Sequence, residues 1–528
     1  MKRFLKKLFS RFSFVALTII LLFTSFVLAF AGAVYIAEEI AAYYIEGETA
    51  KLWFRWGTRV LLWLVVATCA VHAANRDMLP ETKLPWVLCI VGLNFFGVAI
   101  YIVFSHTRAT RKQRRRFGEL SLQSEPYSKR AVSKEELAFE TGSRADTSEA
   151  LYRANRFALP YRNTKTEYFP SGESFANRLL SDLEGAKQYI FLEYFIIAKG
   201  ELWSAVLDVL KRKVKEGVEV KVMYDDVGSM SRVHVRYDKT LKKAGIDAKK
   251  FLPFIPVVSN VHNNRDHRKI AVIDGKIGYT GGINLADEYV NRGGRFGHWK
   301  DTAVRLEGEG VKTFVLMFLR MFYLRGKRRA DFSKYIPESY EAFENEGLVQ
   351  VYGDGPRPLY ERQIGEDVYL NILNGAKRYV WITTPYLIID YRMREALSMA
   401  AQRGVDVRIV TPHIPDKKIP FALTCSNYLA LIRSGVKIYE YTPGFMHAKS
   451  FLSDDEIGVV GTINLDYRSL MHHFEDAVLM YKTRALEGLK SDMEGVFSIS
   501  ALQTEADAER NVVSRTVCEI AKLFAPLF

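Results

Sequence analysis

Cysteine is scarce, with 4 among 528 residues, at positions 69, 89, 425 and 518. So scattered, and with no C-x-x-C pair, they exclude a disulfide scaffold, a thioredoxin-type redox motif and a cysteine zinc site. Cys69 and Cys89 lie inside apolar runs and read as small buried hydrophobes. A mostly disordered, collagenous or low-complexity chain is excluded as well, because 48% of the residues are hydrophobic and 25% charged. No G-x-x-x-x-G-K-[ST], H-E-x-x-H or G-x-S-x-G occurs, so the sequence lacks the signatures of nucleotide-triphosphate, zinc-protease and serine-hydrolase sites. The aromatic and basic stripe of single-strand nucleic-acid binders is also missing.

Positive charge is what the chain has in excess: 74 Lys+Arg against 60 Asp+Glu. Lys2, Arg3, Lys6, Lys7 and Arg11 precede the first apolar run, and Arg108, Arg111, Lys112, Arg114, Arg115 and Arg116 follow the last. Charge in those places sets membrane topology and meets anionic headgroups, so it argues against a nucleic-acid partner.

Residues 14–36 are apolar or small throughout, and at a helical rise they reach about 35 Å, enough to cross a bilayer. Residues 84–104 offer a similar span. Residues 60–74 reach only about 22 Å and need Trp53, Trp56 and the stems of Arg55 and Arg59 to span; they read as a third helix. A cleaved signal peptide, with Ala29, Ala31 and Ala33 near its end, is the rival reading of the first run, disfavoured by the run's length and the span that follows. Residues 1–104 are therefore expected to form a membrane region of two to three transmembrane helices. Both basic clusters favour the cytoplasm, which an odd number of crossings cannot satisfy; the richer second cluster favours a multi-pass protein of the cell membrane with a cytoplasmic catalytic region. Residues 105–150, charged and interrupted by Pro126, read as a basic, polar linker.

From about Leu151 the chain alternates β and α segments, and it repeats itself. Gly185-Ala186-Lys187-Gln188-Tyr189-Ile190 returns as Gly375-Ala376-Lys377-Arg378-Tyr379-Val380, and Gly217-Val218-Glu219-Val220 returns as Gly404-Val405-Asp406-Val407, each about 190 residues further on. Both copies read strand, helix, buried strand, which implies parallel pairing through right-handed crossovers. Residues 151–340 and 341–528 are the expected halves, the second ending in a C-terminal tail.

A third correspondence carries chemistry. His267-x-Lys269-x4-Asp274-x6-Gly281-Gly282-x-Asn284 recurs as His447-x-Lys449-x4-Asp454-x6-Gly461-Thr462-x-Asn464. On a strand, residues two apart share a face, so each histidine points with its lysine. Asp274 and Asp454, at an odd offset, face away and are expected to orient the motif without touching substrate. Asn284 and Asn464 look like helix openings, where backbone N–H groups favour an anion. Two imidazoles, two ammoniums and two amides converging on one point suit a phosphodiester: one imidazole attacks phosphorus, the other protonates the departing alkoxide. The lysines offset charge where another enzyme would use a metal, so neither metal nor cofactor is expected.

The doubled motif resembles the phospholipase D superfamily. Within it the sequence is similar to the bacterial cardiolipin synthases, through residues 168–197, 265–289, Trp299-Lys300-Asp301, residues 411–416 and Phe474-Glu475. The resemblance implies an α/β fold of two pseudo-symmetric phospholipase D-like repeats with mixed, largely parallel sheets, preceded by transmembrane helices. It also implies that a carboxylate downstream of each motif holds that motif's histidine, the matching residues being Asp301 and Glu475. His267 is then the nucleophile and His447 the acid and base. The implied reaction is a reversible exchange between two phosphatidylglycerol molecules, giving cardiolipin and glycerol through a phosphohistidine. Phosphatidylglycerol and cardiolipin are the partners implied, with no nucleic acid; a homo-oligomer is left open.

Smaller signals carry two readings each. Asp225-Asp226 and Asp454-Asp455 read as loop and turn residues before metal ligands. Residues 313–329 suit an interfacial helix or a core helix with a basic end, and residues 521–528 a segment docked on the domain or dipped into lipid. Tyr194, Phe195, Pro385 and Tyr386 could line a headgroup pocket or pack in the core. Rival activities are hydrolysis to phosphatidic acid, transfer to another alcohol, and nucleic-acid phosphodiester cleavage; a non-enzymatic scaffold would have lost motif residues.

Overall fold

The computed structural model describes residues 43–78, 80–105, 110–129, 132–253, 263–326, 329–344 and 346–525, with a few positions between 32 and 40. Most of the first apolar run lies outside the described residues. Contacts divide the chain into two units, one holding residues 1–107 and the other most of the remainder.

In the first unit, α1 (Glu48–Asn75) absorbs the short apolar run at 60–74 into a helix of 28 residues. Among the described residues it alone is long and apolar enough to cross a membrane. The span expected at 84–104 is a correction: it is two helices, α2 (Pro80–Gly92) and α3 (Phe95–Phe104), with the chain turning at Asn94, whose φ is 53°. Neither reaches the roughly 20 residues a crossing needs. They fold against each other at Gly97, where a Cβ would stand 1.9 Å from the Cys89 carbonyl oxygen.

The expected linker is the next correction. Residues 105–150 contain α4 (Arg111–Ser124) and α5 (Lys134–Thr141), and α6 (Ala145–Ala154) begins there. The sequence signal was two capping boxes, Thr110 with Gln113 and Ser133 with Glu136, each satisfying two orphan N–H donors at a helix start. Pro126 sits in a single 3-10 turn between the helices, where its ring is tolerated.

Two sheets follow. The first has seven strands: β1 (Thr164–Phe169), β2 (Tyr189–Tyr194), β3 (Glu219–Asp225), β4 (Asp247–Phe251), β5 (Lys269–Ile273), β6 (Ile277–Gly281) and β7 (Ala303–Gly308), in the order β1-β7-β6-β5-β2-β3-β4. The second is built on β8 (Leu348–Asp354), β9 (Tyr379–Thr383), β10 (Asp406–Pro412), β11 (Lys437–Tyr441), β12 (Ser450–Ser453), β13 (Ile457–Gly461) and β14 (Glu475–Tyr481), in the order β8-β14-β13-β12-β9-β10-β11. Pro160–Tyr161 extends it at one edge and Ser500–Leu502 at the other. The chain just before β1 therefore belongs to the second sheet, which corrects a boundary drawn at 151: Gln350 of β8 takes hydrogen bonds from Ser148 and gives them to the carbonyls of Ser148 and Ala158.

The helix crossovers do give parallel pairs, β2 with β3 and β9 with β10. The sheets are nevertheless mostly antiparallel, a correction to the largely parallel expectation. The cause is the tight hairpin that closes each motif. Asp274 and Gly275 have φ of 52° and 66°, Asp454 and Asp455 of 58° and 63°, the double left-handed pair of a type I′ turn, which folds a strand back on its neighbour.

Between the sheets runs α7 (Val311–Phe322), buried from Thr313 to Phe322. The core reading of residues 313–329 therefore holds for the described helix, and the interfacial one does not. Its phenylalanines stack into the shared core, Phe318 on Phe191 at 4.5 Å between centroids.

Candidate active site

Each motif histidine stands just ahead of its hairpin's first strand, and its backbone is tied to the opposite half. His267 N–H donates to the Phe474 carbonyl at 2.8 Å, and His447 N–H to the Lys300 carbonyl at 2.7 Å. Asp266 bridges Phe474 and Met446 pairs with Lys300, so the residue before each histidine lies beside the residue before the other half's carboxylate.

That strand exchange decides the side-chain pairing. The His267 Nδ1 lies 2.9 Å from both oxygens of Glu475, and the His447 Nδ1 lies 2.6 Å from Asp301 Oδ2. The expectation that each carboxylate serves its own motif is corrected: the partners are crossed between the halves. A carboxylate accepting from Nδ1–H leaves Nε2 unprotonated and free. Thr462 adds a hydroxyl donor to Glu475 Oε2, and Arg268 donates to the Glu475 carbonyl at 3.0 Å. Both support residues were absent from the sequence reading as orienting groups, although each lies inside or beside a motif.

Lys269 Nζ donates to the His267 carbonyl at 2.5 Å, and Lys449 Nζ stands 3.0 Å from His447 Nε2. Burial strips the ammoniums of water, pushing Lys269 down to about 8 and Lys449 down to about 7. The same burial pushes His267 down to about 3 and His447 to about 4, so both imidazoles are neutral near pH 7 despite their carboxylates. Burial would raise Glu475, but His267 beside it holds it ionised, below the usual carboxylate range. Aromatic walls enclose the rings: Phe195 is 5.0 Å from His267, and Trp299 and Tyr289 are 5.1 and 5.4 Å from His447.

Asp274 and Asp454 lie in the hairpin turns, away from the imidazoles. Asp274 accepts the N–H groups of Lys187, Gln188 and Tyr189, and Asp454 those of Lys377, Arg378 and Tyr379. Each thus anchors the start of the central strand, and Asp454 also holds the buried Arg144 from the helical segment before the first sheet, at 2.5 Å. Asp225 grips Arg265 just upstream of the first motif.

The asparagines depart from expectation. Asn284 accepts from Ile196 N–H and donates to the Tyr289 hydroxyl, so its amide is committed to the scaffold, while the buried Asn464 Oδ1 has no partner. Neither opens a long helix: one 3-10 turn (Asp287–Val290) and one five-residue helix (Tyr467–Met471) follow them.

A further residue that the motifs did not point to is His473. Its ring lies 5.4 Å from that of His267 and its Nδ1 3.5 Å from Glu475 Oε1. His267, His473 and Glu475 bring potential ligand atoms within 4.8 Å of one another. A metal there would have to displace the His267–Glu475 hydrogen bond, which already uses that carboxylate.

Comparison with known proteins agrees with this architecture. A family model described as cardiolipin synthase, PLD-like domain, matches residues 179–294 and 369–497, once around each motif. An uncharacterized protein of Streptococcus mutans is 44% identical over 87% of this chain and 99% of its own length. A cardiolipin synthase of a Geobacillus species (strain WCH70) is 32% identical over 95% of this chain and 98% of its own. The solved phosphatidylserine synthase of Haemophilus influenzae Rd KW20 has the same fold, with a TM-score of 0.53 at 16% identity, covering 72% of this chain and 100% of that one. With the relationship extending over nearly the whole chain, and both histidine–lysine motifs in place, the chain belongs to the cardiolipin synthase family, phosphatidyltransferases of the phospholipase D superfamily.

Proposed function

We propose that the headgroup phosphate of phosphatidylglycerol sits between the two Nε2 atoms. His267 attacks phosphorus and forms a phosphatidyl-histidine, while the glycerol oxygen leaves and takes a proton from His447. The glycerol hydroxyl of a second phosphatidylglycerol then gives its proton to His447 and displaces His267, yielding cardiolipin. One phosphodiester is exchanged for another, so the reaction is reversible and needs no activated nucleotide. Lys269 and Lys449 face the non-bridging oxygens, where charge accumulates in the transition state.

The observation that carries this reading is the crossed pairing of Nδ1 atoms with Glu475 and Asp301, which fixes the tautomer of both imidazoles and leaves each Nε2 free, while burial keeps them neutral. His447 becomes an acid once it has accepted a proton, so the first turnover needs it charged; the negative phosphate raises its proton affinity above the value in the empty site.

In the same reading the two halves share one site, and the chain is a multi-pass protein of the cell membrane with its catalytic region in the cytoplasm. Apolar residues 14–36 together with α1 give an even number of crossings that satisfies both basic clusters. Protease added outside spheroplasts should then leave the catalytic region intact.

The deciding experiment incubates the purified protein with phosphatidylglycerol in detergent, beside His267→Ala. The parent releases glycerol and makes cardiolipin, and the variant does neither. Unchanged turnover in the variant would remove His267 from the role of nucleophile.

A further inference from the structure

His473 is buried, only 8% exposed; its Nδ1 stands 3.5 Å from Glu475 Oε1, short of a hydrogen bond, and its Nε2 has no partner. A buried ring nitrogen without a partner is costly, and such groups in native structures call for an explanation. Mobility does not supply one, because the backbone around it is pinned. His473 N–H donates to the Arg468 carbonyl, and the next residue, Phe474, exchanges hydrogen bonds with Arg265 and His267. The ring is therefore held beside the nucleophile's own ring, and Phe195 walls both, at 5.0 Å from His267 and 6.5 Å from His473.

We propose that His473 is a substrate-contacting residue, its Nε2–H donating to a non-bridging oxygen of the phosphate while its Nδ1–H faces Glu475. This rests on the reading that the phosphodiester docks at His267. In an in-line displacement the leaving and incoming alcohols lie opposite the nucleophile, on the His447 side. A group alongside His267 can reach only the equatorial oxygens, which gain charge as phosphorus becomes five-coordinate. Lys269 spends one of its donors on the His267 carbonyl. His473 supplies a directed donor on the same side, between Glu475 on one edge and the phosphate on the other. Glu475 has room for it: His267 and Thr462 are its present donors, and the His473 Nδ1 is 3.5 Å from Oε1, a small rotation from a hydrogen bond.

The test measures kcat/KM for the full-length enzyme in detergent micelles, on phosphatidylglycerol and on the two diastereomers of its phosphorothioate analogue, in which sulfur replaces one or the other non-bridging oxygen. His473→Phe should lose about 100-fold on phosphatidylglycerol, the scale for removing one donor to a developing oxyanion. His473→Asn, which keeps an N–H donor, should recover at least a tenth of parental activity. The parent should prefer one diastereomer, and His473→Phe should lose that preference, an effect that a purely structural role would not produce. Should the phenylalanine variant not fold, His473→Ala against His473→Asn gives the same comparison. A donor-less variant within twofold of the parent overturns the proposal, as does a loss of activity with the diastereomer preference intact. A parent that makes no cardiolipin overturns the underlying reaction instead, so the two failures are distinct.

Discussion

Glu475 and His267 are 208 residues apart in sequence, yet both carboxylate oxygens lie 2.9 Å from the imidazole Nδ1. His447 and Asp301 make the reciprocal pair across 146 residues. Each half thus orients the other's histidine. Glu475→Gln and Asp301→Asn should each slow cardiolipin formation from phosphatidylglycerol by about 10⁴-fold, the scale for a histidine left in the wrong tautomer. On a substrate whose leaving group needs no proton, Asp301→Asn, which weakens the acid His447, should recover, and Glu475→Gln, which weakens the nucleophile His267, should not; single-turnover release of p-nitrophenol reads this. If both variants recovered equally, the division of labour between the imidazoles would be wrong.

In His447→Ala, His267 should still attack phosphorus when the substrate carries a leaving group that needs no proton, departing as p-nitrophenolate in place of glycerol. The phosphatidyl group should then accumulate on the enzyme, acid-labile and base-stable as phosphohistidines are. His267→Ala should accumulate nothing, which mass spectrometry of the intact chain would show.

The lysines set the alkaline side of the pH profile. Burial lowers Lys449 to about 7 and Lys269 to about 8, so in the free enzyme the ammoniums lose their protons as pH rises through that interval. kcat/KM, which reports the free enzyme, should fall between pH 7 and 9. Arginine stays charged, so any residual activity of Lys449→Arg should lack the lower step. A profile flat to pH 9 in the parent would contradict this assignment.

Asp454 serves stability. Its carboxylate takes three backbone N–H groups and the guanidinium of Arg144, which is only 1% exposed. Asp454→Ala leaves that buried cation with only Glu456, at 4.0 Å, as a counter-charge, a loss of about 3 kcal/mol, and should lower the apparent Tm by several degrees. Arg144→Met, which removes charge and keeps apolar bulk, should cost less. Equal losses would mean that the ion pair is not what the second hairpin depends on.

Beneath the first motif, burial raises Glu193 well above its ordinary 4.5, and neighbouring Asp266 adds to the effect. A carboxyl whose folded-state pKa is raised stabilises the fold fully below the unfolded value, and that contribution is lost as pH climbs towards the folded one. Glu193→Gln should therefore gain in stability relative to the parent as pH rises above about 4.5, read from melting curves at pH 5 and pH 8. A gap that narrows over that interval would indicate an ionised Glu193.

The repeat and its motifs were legible because each copy carries residue types with few other uses at that spacing, and Lys269 of the first motif lies close enough to the second to act on both His447 and Lys449. Strand direction was harder to read. Tight left-handed turns at Asp274-Gly275 and Asp454-Asp455 make antiparallel hairpins in a chain whose crossovers suggest parallel ones. The crossing of Glu475 and Asp301 was not legible at all: it follows from backbone pairing between Asp266 and Phe474 and between Met446 and Lys300, contacts that no local pattern announces. His473 was overlooked for a related reason, since nothing in the second motif repeats it. The helical segment at 111–154 was readable from its capping boxes, but charge and Pro126 drew attention away from them.

The crossed carboxylates have a consequence for the protein during its synthesis. When the first motif leaves the ribosome, the residue that fixes its tautomer has still to be translated, and the partner of the second motif's histidine is useless until the strands dock. Under the proposed mechanism, a growing or half-folded chain therefore holds no competent attacker towards the phospholipids around it until β14, which carries Glu475, pairs into the second sheet.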